Sequence, residues 1–203
     1  RYPERADFWT MQANALIGLG QPLKAAENFE LIERMGQATA GSQRILGDIY
    51  VNEELWDLAG QAYGRVLERD DQLPVSQPLR WIGILAQRGA LEQANALLAK
   101  TKKAYEGRLE DEDRKGVLKL EARMAVAAGQ DEGDIVQVLE EVVELDPLDG
   151  EALILLGQHY SRVDQLEKAE FYYERAESID EFEADASIRH AQLLVTQGQY
   201  AKA

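Results

Sequence analysis

One pattern recurs along this chain at intervals of 34 residues. It is clearest between Gly150 and Glu183, where two amphipathic segments flank a short polar turn at residues 163–165. Residues of similar type return in register. Alanine recurs at 25 and 59 and at 169 and 203, and a large apolar or aromatic residue recurs at 16 and 50 and at 160 and 194. A fixed period of this length is typical of arrays in which each repeat is one supersecondary unit and neighbouring repeats share a core.

The segments themselves have the spacing of helices. Apolar residues recur three and four positions apart, as in Trp9, Ala13 and Leu16, which places them on one helix face. Strand-like alternation is absent, and glycine and proline punctuate the pattern at breaks such as Gly89-Ala90 and residues 129–131. We therefore predict an all-α fold of antiparallel helix pairs. The predicted units span residues 6–39, 40–73, 75–108, 116–149 and 150–183, with a partial unit at 184–203.

The register slips by several residues between the third and fourth units. A charged segment, residues 107–115, fills the gap. We interpret it as an insertion that forms either extra helical turns or a short charged loop. It is the place where a hinge or a change of superhelical pitch is expected, and the alternative is an ordinary loop insertion.

The repeat resembles the tetratricopeptide family, whose unit follows W-x2-L-G-x2-Y…A-x3-F…P over 34 residues. The fifth unit fits with Leu156, Gly157, Tyr160, Ala169 and Tyr173. The second unit fits with Leu46, Gly47, Tyr50, Ala59 and Tyr63, and the first with Trp9, Ala13, Ala25 and Phe29. The third and fourth units are degenerate, because Ile82 and Arg123 replace the small residue; the fourth still carries Ala122, Val126, Ile135, Leu139 and Val142. The resemblance implies a right-handed superhelical solenoid of about five and a half repeats, with the first helix of each pair lining the concave face.

Both ends of the sequence interrupt the pattern. Pro3 lies six residues before Trp9, as Pro147 lies six before Leu153, so Pro3 has the position of a preceding unit's closing proline. At the other end, the sixth unit stops at Ala203, where the first packing residue of its second helix falls. Terminal repeats normally carry a polar cap, and neither end of this sequence clearly has one. We expect this sequence to be an excerpt of a longer protein, with the array continuing on at least one side.

Composition excludes several kinds of function. The chain has no cysteine, which rules out disulfides and thiolate sites and leaves the compartment undetermined. The net charge of −15 disfavours binding to nucleic acid or an anionic membrane surface, and no apolar run is long enough to span a bilayer.

The two histidines, His159 and His190, lack metal-ligand spacing. No nucleophile motif or phosphate loop occurs, so we predict no enzyme activity, no metal and no cofactor.

The remaining candidate site is the groove that the first helices would line. On each first helix, the residues three or four positions away from the apolar face that packs against other helices are expected to point towards this groove. The predicted groove residues are Asn14, Arg44, Asp48, Leu79, Leu120, Met124, Ile154, Gln158, Ile188 and Gln192. The set is polar in the N-terminal units and becomes apolar from Leu79 onward, which suits a partner helix or peptide with aliphatic anchors. The alternative is that neighbouring helices, or further parts of the protein, cover these side chains.

Some family members grip the C-terminal carboxylate of a partner with two lysines, two asparagines and one arginine. In this sequence only Asn14 and Arg80 occupy comparable places, and Asp48 would repel a carboxylate. The resemblance therefore does not extend to that ligand.

Three functional hypotheses follow. The first is a protein–protein interaction scaffold that binds a peptide or helix in the groove. The second is an accessory segment of a larger enzyme, and the third is self-association through the open half-unit at residues 184–203.

Overall fold

The computed structural model describes residues 5–128 and 132–200, and within them every regular element is an α-helix. The chain divides at Arg108 and Leu109 into two compact units. Unit 1 contains α1 (Ala6–Gly18), α2 (Pro22–Arg34), α3 (Ala40–Asn52), α4 (Trp56–Arg69), α5 (Ser76–Gln87) and α6 (Leu91–Ala104). Unit 2 contains α7 (Asp111–Ala128), α8 (Glu132–Leu145), α9 (Gly150–Arg162), α10 (Leu166–Glu177) and α11 (Glu183–Thr196). The prediction of an all-α fold built from consecutive helix pairs is confirmed.

The predicted turn at residues 129–131 lies outside the described residues, as do Pro3, Ala203 and the side chain of Val126. The predicted charged insertion at residues 107–115 is irregular in its first part and helical in its second part. Residues 105–110 are turns and irregular backbone, whereas α7 already begins at Asp111. Three acidic residues in the first turn of α7 favour this early start, because the N-terminus of a helix carries partial positive charge.

Within the described residues, four turns that join paired helices share one geometry. Gly20, Glu54, Gly89 and Asp164 each have a positive φ, between 58° and 82°. The residue after each one donates its backbone N–H to a carbonyl five positions earlier, as in Gln165 to Tyr160 at 2.9 Å. This is the helix-ending bond of a Schellman motif, and it reverses the chain within three residues. The repeated turn keeps the paired helices antiparallel.

Small residues lie where the paired helices approach most closely. Ala25, Ala59, Ala94 and Ala169 occupy the same repeat position and are fully buried. Gly157 on α9 faces the ring of Tyr173 on α10, and a Cβ built on Gly157 would lie 2.6 Å from Tyr173 Cε1. Gly47 and Tyr63 are related in the same way in unit 1. The small side chains therefore allow the paired helices to approach each other.

The same tyrosine–glutamate hydrogen bond occurs at one junction between successive pairs in each unit. Tyr50 Oη donates to Glu30 Oε1 at 3.2 Å, and Tyr160 Oη donates to Glu140 Oε1 at 2.9 Å. In both cases the tyrosine lies on the first helix of a pair and the glutamate on the second helix of the preceding pair. Burial, reinforced by the neighbouring glutamate, raises the pKa of each of these two tyrosines from 10.0 to about 12.

These raised pKa values predict a specific alkaline titration. The folded chain disfavours the ionised form of Tyr50 and Tyr160, so their stabilising contribution is complete below pH 10.0 and is lost as the pH rises towards about 12. Ultraviolet absorbance of tyrosinate should show a component near pH 12 that the double variant Tyr50→Phe/Tyr160→Phe lacks. If the component missing from the double variant titrated near pH 10.0 instead, the prediction would be wrong.

Candidate functional site

An open cleft of about 450 Å³ lies between α9 and α11 in unit 2. Its floor is formed by Tyr173 and Leu193, which are buried. Its walls are polar, and the wall residues are Gln158, Ser161, Arg162, Arg189, Gln192 and Thr196. The cleft therefore combines an apolar floor with side chains that form hydrogen bonds. Binding sites often have this composition.

Helical spacing explains how these side chains come together. Gln158, Ser161 and Arg162 are separated by three and four positions on α9, so they share one face of that helix. Arg189, Gln192 and Thr196 have the same relationship on α11. Because α9 and α11 are the first helices of consecutive pairs, their equivalent faces border the same cleft.

The residues that line the cleft include two basic ones, although the chain as a whole has a net charge of −15. Two arginines line it, and none of the described side chains in its walls is acidic. Arg189 Nε donates to Asp185 Oδ1 at 3.0 Å on the exposed side of α11. With its amide oriented so that Oε1 faces α11, Gln158 accepts from the same Arg189 Nε at 3.2 Å. This contact fixes the guanidinium at the edge of the cleft.

Both arginines act electrostatically on the hydroxyl of Tyr173 in the floor of the cleft. Burial raises the pKa of the Tyr173 hydroxyl, and the positive charges of Arg189 and Arg162 oppose that rise. The ring of Tyr173 also stacks on His190, with 6.1 Å between ring centroids. His190 Nδ1 in turn lies 3.0 Å from Glu177 Oε1, which ties α11 to α10 behind the cleft.

The structure brings together two of the ten predicted groove residues, Gln158 and Gln192. Ile188 is 60% exposed on α11 but does not line the cleft. In unit 1, Asn14, Arg44 and Asp48 are exposed and Leu79 is half-buried. Asp48 accepts a hydrogen bond from Tyr63 Oη at 2.8 Å, so it is partly engaged within its own helix pair.

Three of the predicted apolar groove residues are covered. Leu120, Met124 and Ile154 are only 8%, 2% and 4% exposed. Ile154 belongs to a cluster with Ala176 and Ala186, on the two helices that follow it. At these three positions, neighbouring helices cover the side chains, which is the alternative to an open groove.

Arg162 and Arg189 were not predicted as site residues. The signal that could have found them is their spacing from the two predicted glutamines. Arg162 follows Gln158 by four positions and Arg189 precedes Gln192 by three, so each shares a helix face with a predicted groove residue. An arginine on the same face can reach the same space as its neighbour because its side chain is long.

Across residues 5–128 and 132–200, no three histidine, aspartate or glutamate side chains are grouped so that they could hold a metal ion. No helix in that part of the chain has the length and apolar character needed to cross a bilayer.

Comparison with known proteins identifies the repeat. Residues 150–182 match the model of the tetratricopeptide repeat family. No curated protein sequence matches the chain. Among solved structures, PilF of Pseudomonas aeruginosa is similar, with 15% identity over 97% of this chain and 87% of that one and a TM-score of 0.58. YrrB, described as a tetratricopeptide protein with an unusual peptide-binding site, has 17% identity over 96% of this chain and 93% of its own, with a TM-score of 0.51. At these identities the likeness concerns the fold.

Proposed function

We propose that this chain, which belongs to the tetratricopeptide repeat family, is a protein-interaction scaffold that binds a peptide segment of a partner protein in the cleft between α9 and α11. The observation that carries the proposal is the pair of arginines, Arg162 and Arg189, in an open cleft whose other wall residues are neutral and polar. The described peptide binding of YrrB supports this class of function for the fold. The proposed role is binding and not catalysis.

The cleft favours an acidic segment over an aliphatic one. Arginine presents a planar fork of N–H donors that matches a carboxylate, and such charge-assisted bonds are stronger than neutral ones. Gln158 and Gln192 carry amides that can bond to the backbone of an extended peptide. The aliphatic anchors predicted from the sequence have no open pocket at Leu120 or Ile154, because both side chains are buried.

Self-association is a second proposal, for which there is a separate observation. Ile188 and Val195 are large apolar side chains on α11, the last described helix, and they are 60% and 47% exposed. A second copy could cover them. Light scattering over a range of concentrations tests this proposal, and a mass that stays monomeric at every concentration would reject it.

Removing the positive charge of the cleft should abolish most peptide binding. In an array of acidic, neutral and basic peptides, we expect the chain to retain the acidic ones. For those peptides the double variant Arg162→Gln/Arg189→Gln should bind about ten-fold more weakly or worse, since two charge-assisted contacts are lost. Fluorescence anisotropy measures the change, and circular dichroism checks that the variant is folded.

A matched control separates the cleft from the charge of the whole chain. Arg44→Gln/Arg88→Gln removes the same charge at exposed positions in unit 1. We expect the control to bind like the original chain. Equal losses in the two double variants would indicate long-range electrostatics, and a loss in the control alone would move the site to the predicted groove residues of unit 1.

A further inference from the structure

One acidic side chain, that of Asp185, lies beside the α9–α11 cleft although it is not part of the cleft walls. It belongs to the first turn of α11, and its side chain is 54% exposed. Its Oδ1 accepts from Arg189 Nε at 3.0 Å, and the two residues are four positions apart on the same helix. An exposed pair of this kind contributes little to stability. Its importance lies in the partner, because Arg189 lines the cleft.

The guanidinium of Arg189 is oriented by two side chains. Asp185 Oδ1 lies 3.0 Å from Nε, and Gln158 Oε1, with its amide turned towards α11, lies 3.2 Å from Nε and also bonds to Nη1. Within residues 5–128 and 132–200, no other side chain bonds to this guanidinium. The N–H groups of Nη2 are therefore available to a ligand. Because the group is held in place before the ligand arrives, less conformational entropy is lost on binding.

Asp185 also limits the positive charge that the cleft offers. Arg162 and Arg189 line the cleft, and together with Asp185 they carry one net positive charge. The field of Asp185 extends to the floor. Burial is the main cause of the raised pKa of the Tyr173 hydroxyl, and the charge of Asp185 adds to that rise while the two arginines oppose it. A ligand in the cleft therefore experiences Asp185 as well as the arginines.

The groups behind the floor do not add to this positive charge. Glu177 Oε1 lies 3.0 Å from His190 Nδ1, and Glu170 Oε1 lies 3.9 Å from His190 Nε2. Both glutamates belong to α10 and face the same imidazole. A proton on His190 is thus balanced by these two carboxylates.

This balance of charge favours one kind of acidic group over another. Arginine binds both carboxylate and phosphate through paired N–H donors. A carboxylate carries a single negative charge at pH 7, whereas a phosphoserine carries about −1.5 to −2. One net positive charge matches the carboxylate. The additional charge of a phosphate would be repelled by Asp185 and by the chain as a whole, which has a net charge of −15.

We propose that Asp185 is a specificity-determining residue, which positions Arg189 and makes the α9–α11 cleft select a glutamate or aspartate side chain of a partner peptide over a phosphoserine. The proposal rests on the peptide binding proposed above for this cleft and names the acidic group that is bound there. Asp185 acts through Arg189 and through its own charge, and it does not contact the peptide.

Three labelled peptides test the selection. They share one neutral sequence of glycine and serine and differ only at the central residue, which is glutamate, phosphoserine or glutamine. With the full 203-residue chain at pH 7, fluorescence anisotropy should show the glutamate peptide binding about ten-fold more tightly than the glutamine peptide, since a charge-assisted bond is gained. The phosphoserine peptide should bind no more tightly than the glutamate peptide.

Two substitutions of Asp185 separate its charge from its positioning role. Asp185→Asn keeps an oxygen that accepts from Arg189 Nε but removes the negative charge. The affinity for phosphoserine relative to glutamate should therefore rise by about three-fold or more. Asp185→Ala removes the acceptor as well, so it should bind the glutamate peptide about two- to three-fold more weakly than Asp185→Asn does. Circular dichroism checks that both variants are folded.

Glu183→Gln is the matched control. Glu183 is exposed, lies in the same first turn of α11 and carries the same charge, but it is two positions from Asp185 and so leaves the helix on a different face. We expect this variant to keep the affinity ratio of the original chain. An equal change of the ratio in Glu183→Gln and Asp185→Asn would assign the effect to the charge of the whole chain and would overturn the proposal.

Three other results would also overturn it. The first is tighter binding of the phosphoserine peptide than of the glutamate peptide by the original chain. The second is an unchanged affinity ratio in Asp185→Asn, and the third is equal binding of the glutamate peptide by the asparagine and alanine variants. Each of these leaves peptide binding in the cleft intact. The proposed function itself fails by a different result, which is that neither acidic peptide binds more tightly than the glutamine peptide, and that result would overturn both proposals.

Discussion

Replacing Gly157 by leucine should lower the free energy of unfolding by about 1–3 kcal/mol. The reason is the close approach of α10 at this point, where even a Cβ would lie 2.6 Å from the ring of Tyr173. Tyr173 is 3% exposed and forms part of the floor of the cleft, so a displacement of its ring would disturb that floor. Urea unfolding followed by circular dichroism measures the loss.

A pair of alanine variants isolates the steric effect in this prediction. Glycine to alanine within a helix normally stabilises by up to about 1 kcal/mol. Gly83→Ala in α5 should show this gain, because nothing lies within 4 Å of the added Cβ. Gly157→Ala makes the same chemical change against Tyr173 and should destabilise. If both variants were stabilised equally, the contact between Gly157 and Tyr173 would not be close-packed in solution.

Replacing Asp149 by alanine should cost about 2 kcal/mol, since one side chain serves two contacts. Asp149 Oδ1 accepts from the backbone N–H of Ala152 at 3.0 Å and so caps the N-terminus of α9. Its Oδ2 accepts from Lys119 Nζ of α7 at 3.0 Å. The carboxylate is 6% exposed, so alanine would leave Lys119 without this partner and the first turn of α9 without its cap.

Asparagine at the same position separates the cap from the ion pair. Asparagine caps helices about as well as aspartate, so Asp149→Asn keeps the bond to Ala152 and loses only the charge facing Lys119. We expect about half the cost of the alanine variant, again measured by urea unfolding. The difference in stability between the original chain and the Asp149→Asn variant should shrink at high salt, because screening weakens a partly exposed pair. An asparagine variant as unstable as the alanine variant would show that the cap contributes little.

The helix pairs could be predicted from the sequence because the signals for them are local. Apolar spacing of three and four positions defines a helix face, and the 34-residue offset aligns equivalent faces. Ala25, Ala59, Ala94 and Ala169 were recognised by spacing alone, and each is fully buried. The start of α7 at Asp111 could not be predicted as closely, because a run of acidic residues is equally typical of a charged loop and of the first turn of a helix.

The candidate site could be predicted only in part. Gln158 and Gln192, which helical phase selects, line the space between α9 and α11. The same phase rule selects Ile154, one turn before Gln158, yet Ile154 is buried against Ala176 and Ala186. Phase gives the direction in which a side chain leaves its helix. It does not say how far away the next helix lies.

The helices, their pairing, the period at which the pairs repeat and the small residues between paired helices all follow from the amino-acid sequence alone. These features depend on residues within one repeat and on identical offsets between repeats. The accessibility of the outward-facing residues, in contrast, depends on how the helices pack in three dimensions. The two arginines of the α9–α11 cleft, for example, line the same space because of the distance between those two helices. Those distances are set jointly by side-chain volumes on several elements, and no single repeat contains that information.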